Sequence, residues 1–387
     1  MNETHATKYL LGLPTVPPHG TAKREGRLLA ALGEPERNLF IIKILGEAGK
    51  SSASSLVCAL LSHGGIPNGS VTLTPTSEPR LAIRIDGEPP SHKEFAEAVT
   101  LAWSAVREAD MADPSYEEML LAAALMLFVK CGCRVATVEL CADSRLSATQ
   151  ALASPRLCLL TSTSAARAEE LVSLLDTKHD MVSAPQEPSV YRLLTERAAA
   201  AHCRLSFPTK NEIGETTFHG ASQAFTYQGK SYSLPTLAHY QKNNALAVIE
   251  AYRALLRQGF RLSEQDLLAA LSELSTPLNF RFFSLSPAWL IDCADSPMRL
   301  SALADSVARL PSLFPEKLTI WTEPKLEGAC REAFGEKIAH LEILETATLS
   351  RTLKKQKPPT DSPLLAIGSE PFASEILRAL NDLFLFQ

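Results

Sequence analysis

Short apolar runs rich in β-branched residues alternate along this chain with longer stretches of helical spacing. That alternation predicts an α/β protein with a mostly parallel sheet covered by helices. The first run, residues 38–45 (NLFIIKIL), is followed by Gly46-Glu47-Ala48-Gly49-Lys50-Ser51-Ser52 and a helical pattern to residue 61. The order is strand, glycine loop, helix. A helical stretch at 116–130, which contains the longest apolar run (119–129), precedes a strand at 134–140. A strand at 156–160 then precedes a helical stretch at 165–175.

Residues 224–234 (AFTYQGKSYSL) alternate around Gln228-Gly229 and predict a β-hairpin added to this core. Helical patterns follow at 242–258 and 263–274, the second opening on Ser263 as its N-cap. Ser275-Thr276-Pro277-Leu278-Asn279 ends them, because a proline cannot continue a helix. We place a domain boundary there: a larger domain over 1–277, and over 278–387 a smaller α/β domain that starts a fresh series at 282–291. Its later strands are expected at 317–321, 341–344 and 364–367, with KKQKPPT at 354–360 as an exposed loop.

Composition narrows the class. With 45% hydrophobic and 21% charged residues the 387-residue chain fits neither disorder nor a low-complexity scaffold, and reads as a soluble globular protein. Its net charge of -5, from 38 Lys+Arg against 43 Asp+Glu, offers no broad basic surface to nucleic acid. The run 119–129 is far shorter than the roughly 20 residues of a membrane span, so a buried helix is expected there. Residues 1–9 are polar, without a basic stretch leading into an apolar signal core, and a cytoplasmic address is expected. The eight cysteines are dispersed in mostly apolar surroundings and read as reduced core thiols.

The glycine loop carries the chemistry. Between a strand and a helix, such a loop aims backbone N–H groups and the helix N-terminus at a phosphate, and a lysine adds a positive charge. Gly46, Gly49 and Lys50 have that arrangement, and Ser51 or Ser52 can offer a hydroxyl to phosphate or Mg²⁺. The spacing is GxxGKSS, shorter than GxxxxGK[ST]. Glu139, in an otherwise apolar strand, is a further candidate: a buried unpaired carboxylate is costly, and the strand end near the loop favours a functional role.

Other words follow the loop in order: IRIDGEP from Ile83, SYEEMLLAAALMLF from Ser115, VELCADSRLSATQ from Val138, HYQKNNALA from His239 and IDCADSP from Ile291. Together they resemble the folylpolyglutamate synthase/dihydrofolate synthase branch of the Mur ligase superfamily over most of the chain. The resemblance implies a P-loop Mur-ligase-like central domain with a mostly parallel sheet, plus a smaller C-terminal Rossmann-like domain. It implies an ATP- and Mg²⁺-dependent ligase, in which a small-molecule carboxylate becomes an acyl phosphate and is attacked by an amino-acid amine. On that mapping Gly46, Gly49 and Lys50 match the phosphate loop. Glu118 falls on the Mg²⁺-ligating glutamate and Thr74 on a hydroxyl ligand. Arg145 matches the arginine after the next strand, Gln241 and Asn244 the polar pair of the adenine-side helix, and Asp292 the first acid of the C-terminal motif. The bland readings stay open beside these: carboxylates favour helix starts, as at Glu117 and Glu118, and Gln241 and Asn244 can serve as capping residues.

The departures cluster on chemistry-bearing positions. Ala166-Arg167 stands where the family has Asp-His, and a guanidinium has no lone pair for a metal. Lys178 is a weak counterpart of the family's modified lysine, Asp295 and Ser296 replace a histidine and an asparagine, and Leu81-Ala82 replaces an acid–base pair on the pterin side. Two readings follow: an active amide ligase with altered metal handling, or a family member that binds nucleotide or a partner without turnover. A P-loop kinase or ATPase of another family is the third, and the C-terminal words argue against it. Oligomeric state is silent, with a monomer favoured.

Overall fold

The computed structural model describes residues 1–15, 21–140, 152, 155–175, 180–275, 278–315, 317–349, 352–353 and 362–384. Arg145, Lys178, Pro277 and the loop at 354–360 lie outside them. The architecture is α/β, with a mostly parallel sheet in each of two compact units.

The first unit comprises Met1–Glu215, Phe225–Ser233 and Asn243–Leu274. Its seven-stranded sheet starts with β1 (Phe40–Leu45), β2 (Asn68–Thr72), β3 (Ile83–Ile85) and β4 (Val135–Glu139). The remaining strands are β5 (Leu157–Leu160), β6 (Asp180–Ser183) and β7 (Arg204–Ser206). Their spatial order is β3-β2-β4-β1-β5-β6-β7, and β3 alone runs antiparallel to its neighbour. The central strands β4 and β5 are buried throughout and β1 nearly so, which is why they read as near-continuous apolar runs. Two helices, α1 (Glu3–Leu11) and α2 (Thr21–Ala31), precede β1, which leads through α3 (Lys50–His63) to β2 on one side, while β4 leads to β5 on the other. The strand order therefore reverses at β1, and the crevice at its carboxyl end is where open α/β sheets take ligands.

On one face, α4 (His92–Glu108) and α5 (Tyr116–Lys130) pack with α1 and α2 into a cluster that includes Phe95, Val99, Leu120, Leu121 and Phe128. Both α4 and α5 open on a serine capping box, at Ser91 and Ser115, which satisfies donors the helix geometry leaves over. Over β5 and β6, α6 (Ala165–Ser173) and α7 (Pro188–Ala201) build a smaller cluster around Leu171, Val172 and Leu194. A meander of β8 (Ile213–His219), β9 (Ser222–Tyr227) and β10 (Lys230–Leu234) comes next, then α8 (Gln241–Arg257) and α9 (Glu264–Ser272). Gln228 and Gly229 both take positive φ, as a two-residue hairpin turn requires. The hairpin expected at 224–234 thus gains a third strand, β8, whose half-exposed residues carry little apolar signal.

The second unit comprises Thr216–Ala224, Leu234–Lys242 and Ser275–Gln387. Its sheet contains β11 (Arg281–Leu285), β12 (Ala288–Asp292), β13 (Leu318–Thr322), β14 (Ile338–Ile343) and β15 (Leu364–Ile367), in the order β11-β12-β15-β13-β14. The run 282–291, expected as the start of a βα series, is an antiparallel hairpin. Ser286-Pro287 interrupts it, since proline has no N–H for a ladder. Helices α10 (Pro297–Ala308) and α11 (Glu327–Phe334) cover one face, and the closing helix Glu370–Phe384 covers the other.

Among the described residues no helix is long and apolar enough to cross a membrane. The seven described cysteines are free thiols; Cys131 is exposed and Cys203 half-buried, so the core reading holds for the other five.

Candidate phosphate-binding site

Gly46 to Ser52 form a turn and the first turn of α3 at the carboxyl end of β1. Two glycines shape the turn. Gly46 has φ +136° and Gly49, the N-cap, φ +92°, values that side-chain-bearing residues rarely adopt. Space demands glycine as well: a β-carbon on Gly46 would stand 2.1 Å from Thr161 Oγ1, and one on Gly49 2.0 Å from Asn244 Oδ1. The first N–H groups of α3 have no acceptor within the helix and, with the helix dipole, favour an anion there. Lys50 is buried, its Nζ donating to Gly46 O at 2.7 Å.

The strand-end acid beside the loop is Glu139. It is buried at the end of β4, next to β1 in the sheet, and accepts from Ser51 Oγ at 2.9 Å and from Thr72 Oγ1 at 3.0 Å. Thr72 is its register partner on β2. One carboxylate and two hydroxyls meeting at a phosphate loop are hard oxygen donors. They fit Mg²⁺, which keeps several waters and phosphate oxygens and needs only one or two protein carboxylates. Among the described residues no three His, Cys, Asp or Glu side chains gather into a ready-made metal cage.

The third wall is the segment after β5. Glu47 N–H and Ala48 N–H both donate to Ser162 O, at 3.0 and 3.2 Å, while Thr163 Oγ1 and Ser164 N–H donate to Glu47 Oε2. Burial works to raise the Glu47 pKa, but the bonds from Ser164 and Thr163, with the nearby Arg167 charge, prevail and hold it below the usual carboxylate range. Glu47 is thus an anion inside a phosphate loop, tied to the start of α6.

The other residues named from the sequence fall in different places. Glu118 is fully buried, but its bonds go to the start of its own helix and to Arg24: Oε2 accepts from Ser115 N–H and Oγ, and Oε1 from Arg24 Nε at 3.3 Å. Thr74 is exposed beyond the end of β2, and Thr72 is the hydroxyl that reaches the loop's acid. Asn244, buried on α8, lies against Gly49. Gln241, also buried, starts that helix and falls in the second unit, as does Asp292. Asp292 closes β12, where Oδ2 accepts from Phe280 N–H at 2.7 Å and Tyr240 Oη at 3.0 Å. Burial pushes its pKa up to about 6 against the lowering pull of those two bonds. Sequence reasoning misses Thr72 and the tie made by Glu47; an acid between the two loop glycines is the signal that could have exposed the tie.

No family model matches the chain. The folylpolyglutamate synthase of Lacticaseibacillus casei is 22% identical over 342 residues, 83% of this chain and 79% of that protein. A probable dihydrofolate synthetase of Schizosaccharomyces pombe is 27% identical over 240 residues, 58% of this chain and 57% of that one. A folylpolyglutamate synthase solved with AMPPCP and folate superposes with a TM-score of 0.84 at 20% identity, covering 98% of this chain and 99% of its own. The Mycobacterium tuberculosis folylpolyglutamate synthase solved with ADP and AMPPCP gives 0.79 at 21% identity, covering 99% of each. The fold is accordingly that of the solved folylpolyglutamate synthases. In sequence the chain is similar to folylpolyglutamate synthases and dihydrofolate synthetases, at 22% and 27% identity to the two relatives above.

Proposed function

We propose that this protein is an ATP-dependent amide ligase that joins an amino acid, glutamate or one like it, to a small-molecule carboxylate through an acyl phosphate. The observation that carries the reading is the Lys50 loop with Ser51 bonded to the strand-end acid Glu139, in a chain with the fold of folylpolyglutamate synthases over 98% of its length. In this reading the start of α3 and Lys50 hold the phosphate chain and neutralise charge as the phosphoryl group moves to the acid. Ser51, Thr72 and Glu139 are the residues that would hold Mg²⁺, and the ion would supply positive charge to offset that of the phosphates. Asn244 against Gly49 supports the nucleotide side, Ser52 is the loop's other hydroxyl for phosphate or Mg²⁺, and Arg145, Gln241 and Asp292 keep the matches the resemblance gives them.

The relatives lend no support to the noncatalytic reading. Folate as the acid is the less favoured substrate, because Leu81-Ala82 lacks the acid–base pair expected beside a pterin. The test is turnover with ATP, Mg²⁺, glutamate and a panel of pterin and non-pterin acids. ADP and phosphate should appear only when an acid and an amino acid are both present, and Lys50→Ala should abolish the reaction. ATP hydrolysis indifferent to both co-substrates, or no turnover across the panel, would overturn the proposal.

A further inference from the structure

We infer that Arg167 is a second cation for the phosphate chain, supplied by the helix beside the loop; this rests on the nucleotide reading above. Arg167 is the third residue of α6, after the N-cap Ser164. Local physics opposes a cation there, because the positive end of the helix dipole repels it, and the first turn of α6 contains no acid to compensate. The position is nevertheless held with care. Four bonds join the segment before α6 to the phosphate loop, two from Glu47 and Ala48 N–H to Ser162 O and two from Thr163 and Ser164 to Glu47. Gln186 braces the same segment from beyond β6, accepting from Thr163 N–H at 3.2 Å and donating to Thr161 O at 2.7 Å.

The start of α6 and the phosphate loop are therefore one bonded assembly at the carboxyl ends of adjacent strands. The Arg167 guanidinium, about a quarter exposed, sits close enough to Glu47 to lower its pKa, and it pairs with Glu170 at 3.4 Å. Glu47 and Glu170 offset a charge that the helix start disfavours. A guanidinium so placed can present two N–H donors to phosphate oxygens, geometry that a lysine lacks.

Calorimetric titration of the whole protein with Mg²⁺–AMPPCP tests this. Arg167→Ala should weaken binding about ten- to hundredfold, the range for one lost bond to a charged group, and Arg167→Lys should recover part of it. Should Arg167→Ala fold poorly, Arg167→Gln serves in its place. Glu170→Gln removes the ion-pair partner but leaves the guanidinium, so affinity should hold or improve. Affinity within twofold of wild type in Arg167→Ala, or an equal loss in Glu170→Gln, would overturn the inference while leaving the nucleotide site standing. A wild-type protein that binds no AMPPCP would remove both.

Discussion

Gly49 and Asn244 are in mutual contact range: a single β-carbon at Gly49 would fall 2.0 Å from Asn244 Oδ1, so α8 closes directly onto the turn that starts α3. Gly49→Ala meets two obstacles, the clash and a φ of +92°. Adenine-nucleotide affinity should fall by at least tenfold in Gly49→Ala. Adding Asn244→Ala should return only part of it, because the backbone strain persists. Titration of both variants measures the split, and full recovery in the double variant would show that crowding alone shapes the loop.

Glu139 supplies the second prediction. Glu139→Gln keeps an acceptor for the Ser51 and Thr72 hydroxyls, so the fold and metal-free nucleotide binding should change little. The lost charge should instead appear as a weaker dependence on Mg²⁺. Turnover at saturating ATP should drop about a hundredfold and the Mg²⁺ concentration for half activity should rise. A Mg²⁺ profile superposing on that of the wild type would place the metal elsewhere.

Much of this site is legible along the chain because its parts are local. The loop, its lysine and the following helix occupy one continuous segment, and β1, β4 and β5 announce themselves as apolar runs because both faces are buried. What eludes sequence reading is pairing at a distance. Thr72 meets Glu139 across 67 residues only through the β2–β4 register, and β2 itself (NGSVT) looks like a polar turn until its neighbours bury it. Glu118 carries a second, local signal: a carboxylate three residues after a serine is a capping pattern, and the structure uses it as one.

The Ser115–Glu118 box should therefore govern stability. Ser115→Ala should lower the unfolding free energy by about 1 kcal/mol. Glu118→Ala should cost more, about 3 kcal/mol, because it also strips Arg24 of its buried partner. Denaturant unfolding reads both effects. Nucleotide affinity, measured well below the melting temperature, should stay within about twofold of wild type for each; its loss in folded Glu118→Ala protein would return that residue to the phosphate site.

Glu25 carries a related expectation. It is fully buried on α2, and neither carboxylate oxygen has a hydrogen-bond partner among the described residues. Burial, with the charges of Glu118, Glu36 and Glu117, raises its pKa well above the ordinary value. The native state then binds this proton more tightly than the unfolded chain, so the residue's contribution favours folding at low pH and is lost as pH rises through the native pKa. Glu25→Gln should remove that loss, and its stability advantage over wild type should grow as pH rises above about 4.5, the ordinary value. An advantage independent of pH would mean that the carboxyl does not titrate with folding.

Asp292 offers the sharpest pH test in the second unit, because burial raises its pKa from 3.8 to about 6. The native state holds the proton through a window in which the unfolded chain has released it. Stability from this group is therefore full below about pH 4 and declines as pH rises to about 6, a change on the order of 3 kcal/mol for two pKa units. Asp292→Asn is the informative variant. Its amide oxygen can still accept from Phe280 N–H, which holds a residue at φ +52°, and from the Tyr240 hydroxyl. The decline between pH 4 and 6 should flatten in Asp292→Asn, leaving the variant at least as stable as wild type above pH 6. Asp292→Ala, with no acceptor for the Phe280 amide, should lose stability at every pH. A wild-type curve with no decline that Asp292→Asn removes would contradict the assignment, whatever the behaviour of the alanine variant.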